Sequence, residues 1–95
     1  VADEDDLRIL RQEVLLRTGA PDVGSLARSP AIAGLEPDLA AVVRLRLGLD
    51  RVPPRPRTRA EVAEAIGLGG ARIDAMVAAL EEDAVAALGP SPLDA

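Results

Sequence analysis

The 95-residue chain is long enough for one domain with an adequate core, and 48% of it is apolar, drawn almost wholly from Ala, Leu, Val and Ile. It has no Cys, His, Phe, Trp or Tyr, which excludes disulfides, thiol and histidine chemistry, His-Cys metal sites and aromatic stacking of single-stranded nucleic acid. The net charge of −5 is uneven: residues 44–59 hold six arginines against Asp50 alone, a basic island between two acidic flanks.

The first helix is expected from about Asp6 to Thr18, with Asp5 or Asp6 capping its exposed N–H groups and acids at the positive end of its dipole. Leu7, Leu10 and Val14 form its apolar spine, which either covers the domain's own core or meets a partner. Gly19 and Pro21 end it. A short helix is expected over 23–28, stopped at Ser29-Pro30 because a residue before proline is pushed out of the helical region. Residues 30–35 then read as a connector with Ile32 and Leu35 pointing inward.

A third helix opens at Glu36-Pro37, where the missing proline donor costs nothing, and Gly48 stops it. Leu39, Val42, Val43 and Leu47 share its apolar face, while Arg44 and Arg46 are expected to project outward. The loop 49–57 contains Pro53, Pro54 and Pro56 and should be extended and stiff. Thr58-Arg59-Ala60-Glu61 is a capping box that opens a fourth helix, ended at Gly67. A fifth helix is expected over 70–88, with Ile73, Met76, Val77, Leu80, Ala84 and Leu88 at helical spacing and Glu81-Glu82-Asp83 as a solvated face. Gly89-Pro90 and Pro92 close it, leaving a loose tail. The fold class is all-α: a small bundle of about five helices, in which residues 1–34 form an N-terminal helical segment and 35–95 the main domain, together one compact unit.

The fourth and fifth helices carry the most informative pattern. With Arg59 as the first position of a helix-turn-helix, the structural positions fall on Val62, Ala63, Ile66, Gly67, Leu68, Ile73 and Met76. Ala63 is small enough for two helices to touch, Gly67 supplies the positive φ of the turn, and the other five are apolar. Two flanking blocks extend the pattern. Val43-Arg44-Leu45-Arg46-Leu47-Gly48-Leu49-Asp50 and the run from Thr58 to Leu68 together resemble region four of bacterial primary-type sigma factors, over roughly residues 35–88. That resemblance implies one face that docks on the flap of the RNA polymerase β subunit, and a second motif helix that enters the major groove of the upstream promoter element.

The chain departs from the family where bases would be read. A recognition helix needs long hydrogen-bonding side chains near its N-terminus. The matching positions here are Gly69, Gly70, Ala71, Arg72, Asp74, Ala75 and Ala78, of which only Arg72 is a long donor, and residues 69–88 carry a net −3. An acidic helix forfeits the counterion release that drives non-specific DNA affinity. Arg44, Arg46, Arg55, Arg57, Arg59 and Arg72 are the candidates for phosphate contact, which positions a protein without conveying sequence.

The expected function is therefore a sigma-region-four-like module that docks on RNA polymerase or a transcription regulator, with sequence-specific reading of double-stranded DNA weakened or lost. Two alternatives stay open: a helical interaction or oligomerisation domain unrelated to polymerase, and a genuine promoter-binding domain. No enzyme activity, cofactor, metal, small-molecule substrate or membrane partner is expected, and the cytoplasm is the expected location.

Overall fold

The computed structural model describes residues 2–51 and 53–89, which form six helical segments: α1 (Ala2–Thr18), α2 (Val23–Leu26), α3 (Pro30–Ala33), α4 (Pro37–Leu47), α5 (Arg59–Ala65) and α6 (Ile73–Leu88). Among the described residues there is no strand, so the all-α bundle expected from the pattern is what forms.

Local chemistry accounts for most of the boundaries. α1 starts earlier than expected, at Ala2, so Asp5 and Asp6 lie inside its first turns and do not cap it. Their charge still favours the positive end of the helix dipole. The helix ends at Gly19, whose φ of 72° no other residue adopts cheaply. α2 is shorter than expected. The Asp22 carboxylate accepts from the Ser25 N–H at 2.8 Å, and that backbone hydrogen bond holds its pKa below the ordinary value.

The connector at 30–35 is instead the single turn of α3, because Pro30 stands at a first helical position where its lack of an N–H is harmless. Ile32 is fully buried and Leu35 half-buried, as the apolar spacing requires. The reading of a loose tail after Gly89 lies outside the described residues.

α4 and α5 both end in paired backbone hydrogen bonds that satisfy orphan carbonyls. At α4, Gly48 N–H donates to Leu45 C=O and Leu49 N–H to Arg44 C=O; at α5, Gly67 N–H donates to Glu64 C=O and Leu68 N–H to Ala63 C=O. Both glycines have positive φ, 71° and 82°. The proline-bearing loop after α4 folds back along its end. There Arg55 N–H reaches Gly48 C=O and Arg57 N–H reaches Arg46 C=O, each at 3.2 Å.

The core has two lobes. One gathers Leu10, Val14, Leu26, Ile32, Val43, Leu47, Leu49 and Ala84; the other gathers Val42, Val62, Ala63 and Val77. The first lobe draws on α1, α2, α3, α4 and α6, so residues before Leu35 share one core with the rest of the chain. A radius of gyration of 12.5 Å agrees with the about 12 Å of a single domain this long.

Candidate functional site

The site to be judged is the arginine-rich middle of the chain together with the start of α6. α4 places Arg44 and Arg46 in its last turn, and only Arg44 is exposed. Arg46 is 1% exposed, which corrects the expectation that it projects outward or reaches a phosphate. The reason is register: Arg46 follows the fully buried Val42 by four residues and Val43 by three, so it shares their face.

A charge buried at that depth needs a partner, and Glu81 of α6 supplies it. Glu81 is 5% exposed, which corrects the reading of Glu81-Glu82-Asp83 as a solvated face; Glu82 and Asp83 are exposed. Arg46 Nε donates to Glu81 Oε1 at 2.7 Å, and Arg46 Nη1 donates to the Arg57 carbonyl at 2.6 Å. The second carboxylate oxygen, Oε2, accepts from Arg59 Nε at 2.9 Å and Nη2 at 2.8 Å. Arg59 Nη1 then reaches Asp6 Oδ2 at 2.9 Å. The chain Asp6–Arg59–Glu81–Arg46 thus ties α1, α5, α6 and α4 together. Arg59 is not available for phosphate in this arrangement.

Arg57 is committed as well. Its two Nη atoms donate to the two oxygens of Asp50 at 2.6 and 2.9 Å, a bidentate fork. The hydrogen bond from Arg57 holds the Asp50 carboxyl below its ordinary pKa and raises that of Arg57. Arg44, Arg55 and Arg72 are exposed. Of the six arginines proposed for phosphate contact, three are therefore spent on carboxylates of the same chain.

The helix-turn-helix positions divide similarly. Val62 and Ala63 are buried, Ile66, Leu68 and Ile73 pack partly buried against them, and Gly67 has the positive φ the turn requires. Met76 does not belong with these: it is 39% exposed. α6 starts at Ile73, three residues after the expected Gly70, so residues 66–72 separate α5 from α6. Gly69 and Gly70 explain the delay, since each costs about 1 kcal/mol inside a helix, and Arg72 caps α6 without a side-chain hydrogen bond. The first four base-reading positions, Gly69 to Arg72, are consequently exposed loop, while Asp74, Ala75 and Ala78 lie within α6.

The apolar stripe of α1 is resolved in favour of the core. Leu10 and Val14 are buried in the core, and Leu7 packs partly buried against it. Among the described residues, no group of acidic side chains is placed to hold a metal ion, and no helix is long and apolar enough to cross a membrane.

The capping box at α5 forms as expected: Glu61 N–H donates to Thr58 Oγ1 at 3.2 Å, and Thr58 N–H to Glu61 Oε1 at 3.1 Å. The backbone hydrogen bond from Thr58 lowers the Glu61 pKa from its ordinary 4.5, as Arg57 lowers that of Asp50 from 3.8. A carboxylate with a depressed folded-state pKa contributes stability that is present above its unfolded pKa and is lost as pH falls through the folded value. The thermal midpoint of the wild-type chain should therefore fall more steeply below about pH 4.5 than that of an Asp50→Asn/Glu61→Gln double variant. Parallel acid profiles from far-UV circular dichroism would show that these hydrogen bonds do not persist in solution.

The buried role of Glu81 and the Asp50–Arg57 fork are what sequence reasoning missed. A signal existed for the first: Glu81 lies four residues after Val77 and three before Ala84, inside the apolar register of α6. Comparison with protein-family models, curated proteins and solved structures finds no match to this chain.

Proposed function

We propose that this chain is a transcription-associated docking module of the sigma region-four type, which binds RNA polymerase or another transcription protein and does not read promoter sequence. The observation that carries this reading is the fate of the basic island: Arg46, Arg57 and Arg59 are held by Glu81, Asp50 and Asp6. A phosphate-gripping surface keeps its arginines free, because affinity comes from the counterions they release. The late start of α6 behind Gly69-Gly70-Ala71 supports the same conclusion for base edges, which only long side chains reach.

Fluorescence anisotropy against promoter duplexes of matched and scrambled sequence, at low and high salt, tests the DNA side. The expected result is weak binding that does not distinguish the two duplexes. Sub-micromolar, sequence-dependent binding would overturn it. Capture by a fragment bearing the β-subunit flap tests the protein side.

A second reading, a helical interaction domain without any link to polymerase, is favoured by the exposed apolar side chains Ile9, Leu16 and Met76. Failure to bind the flap, together with self-association in sedimentation, would select it.

A further inference from the structure

We propose that the groove between α1 and α6 is a docking surface for an amphipathic helix of a partner protein, one carrying Arg or Lys beside an apolar ridge. The groove encloses about 350 Å³, with Ile9 and Leu10 of α1 facing Ala78 and Val85 of α6. Ile9 is 53% exposed although the core lies beside it, and Leu16, two turns on along the same flank of α1, is equally exposed. The lining runs from Asp6 to Arg17 on α1, about 16 Å at the helical rise, which matches three turns of a docked helix.

Charge selects the occupant. α1 and α6 together carry nine acids and three arginines. The two arginines at the groove sit at its ends: Arg59 is tied to Asp6 and Glu81, and Arg17 to Glu13 and the Gly89 carbonyl. Along the open length, Glu82 is exposed and has no ion-pair partner among the described residues. An apolar floor beside the unpaired carboxylate of Glu82, between two helices that carry an excess of acids, attracts a basic amphipathic helix. It repels nucleic acid, an anionic lipid surface, and the acidic α1 of a second copy. The pattern is that of a helix laid in a groove, with apolar anchors giving affinity and rim charges giving partner choice.

This inference deepens the docking reading and rests on it only in taking the ligand to be a protein. The isotope-labelled full chain is titrated with two synthetic helices of identical leucine ridge, one flanked by arginines and one by glutamates, and amide shifts are followed by NMR. The arginine helix should shift amides around Ile9 and from Ala78 to Ala86. Its affinity should fall at least about tenfold when arginine is exchanged for glutamate, and again in Ile9→Asp and Glu82→Arg. Both positions are exposed, so the variants should keep wild-type helicity, which circular dichroism checks. No binding, equal binding of the two helices, or shifts confined to another face would overturn the proposal. If the flap fragment captures wild type and Ile9→Asp equally while the arginine helix does not bind, the groove is wrong and the docking reading stands. If the arginine helix binds as expected and the flap is not captured, the groove stands and the polymerase reading falls.

Discussion

Replacing Glu81 with leucine is expected to destabilise the chain by about 3–5 kcal/mol, the cost of leaving a buried charge without its partner. Arg46 is 1% exposed and has no route to water in its present rotamer, and the 2.7 Å bond from its Nε to Glu81 is lost. The bond from Arg46 Nη1 to the Arg57 carbonyl persists, but a carbonyl neutralises no charge. Arg59 suffers less, since Asp6 still holds it and its side chain is 18% exposed. For a domain whose total stability is on the order of 5–15 kcal/mol, a loss of this size leaves little margin. Glu81→Gln should cost less, because the amide oxygen still accepts one hydrogen bond.

The informative companion is the double variant Arg46→Met/Glu81→Leu. Desolvating two charges costs several kcal/mol per ion, which their attraction repays only in good geometry, so an apolar pair of similar volume is expected to recover wild-type stability or exceed it. Urea unfolding followed by far-UV circular dichroism measures both, the absence of Trp and Tyr having removed the usual fluorescence signal. A Glu81→Leu variant within about 1 kcal/mol of wild type would mean that Arg46 is solvated in solution. The buried pair would then be no part of the fold.

Arg46 and Glu81 also mark where the sequence stopped being legible. Helices with local signals were readable: the Thr58-Glu61 box, Pro37 at the start of α4, and Gly48 and Gly67 at helix ends are each decided within a few residues. α6 was misread at its start because apolar spacing alone runs through Ile73 toward Gly70, whereas glycine propensity acts against helix in that turn. The arginines were the harder case. Whether a basic side chain meets solvent, phosphate or a carboxylate depends on what another helix brings opposite, and Glu81 is 35 residues away from Arg46 in the chain. Arg57 and Asp50 are only seven apart, yet they meet through the return of a proline loop that no helical period describes. The island that reads as an attractor of polyanions in one dimension has three of its six arginines neutralised within the folded chain.

Gly48→Ala is expected to be the most damaging of the glycine substitutions, for two separable reasons. The first is conformational: φ at Gly48 is 71°, and a side chain in the left-handed region costs about 1–2 kcal/mol. The second is steric. A Cβ built on Gly48 would lie 2.1 Å from the carbonyl carbon of Arg55 and 2.3 Å from its N and O, all backbone atoms that no rotamer change can move. Relieving that contact means pushing the 49–57 loop off the end of α4. It would break the Arg55 N–H bond to Gly48 C=O, and the Arg57 N–H bond to Arg46 C=O goes with it. Forced displacement of packed structure adds about 1–3 kcal/mol. Gly67→Ala isolates the first term, since its φ of 82° is similar but its Cβ would meet nothing within 4 Å. Urea midpoints should therefore place Gly67→Ala about 1–2 kcal/mol below wild type and Gly48→Ala clearly lower still. Equal losses at the two sites would show that the loop does not lie against α4. The Arg57 carbonyl that supports Arg46 would then have to be sought elsewhere.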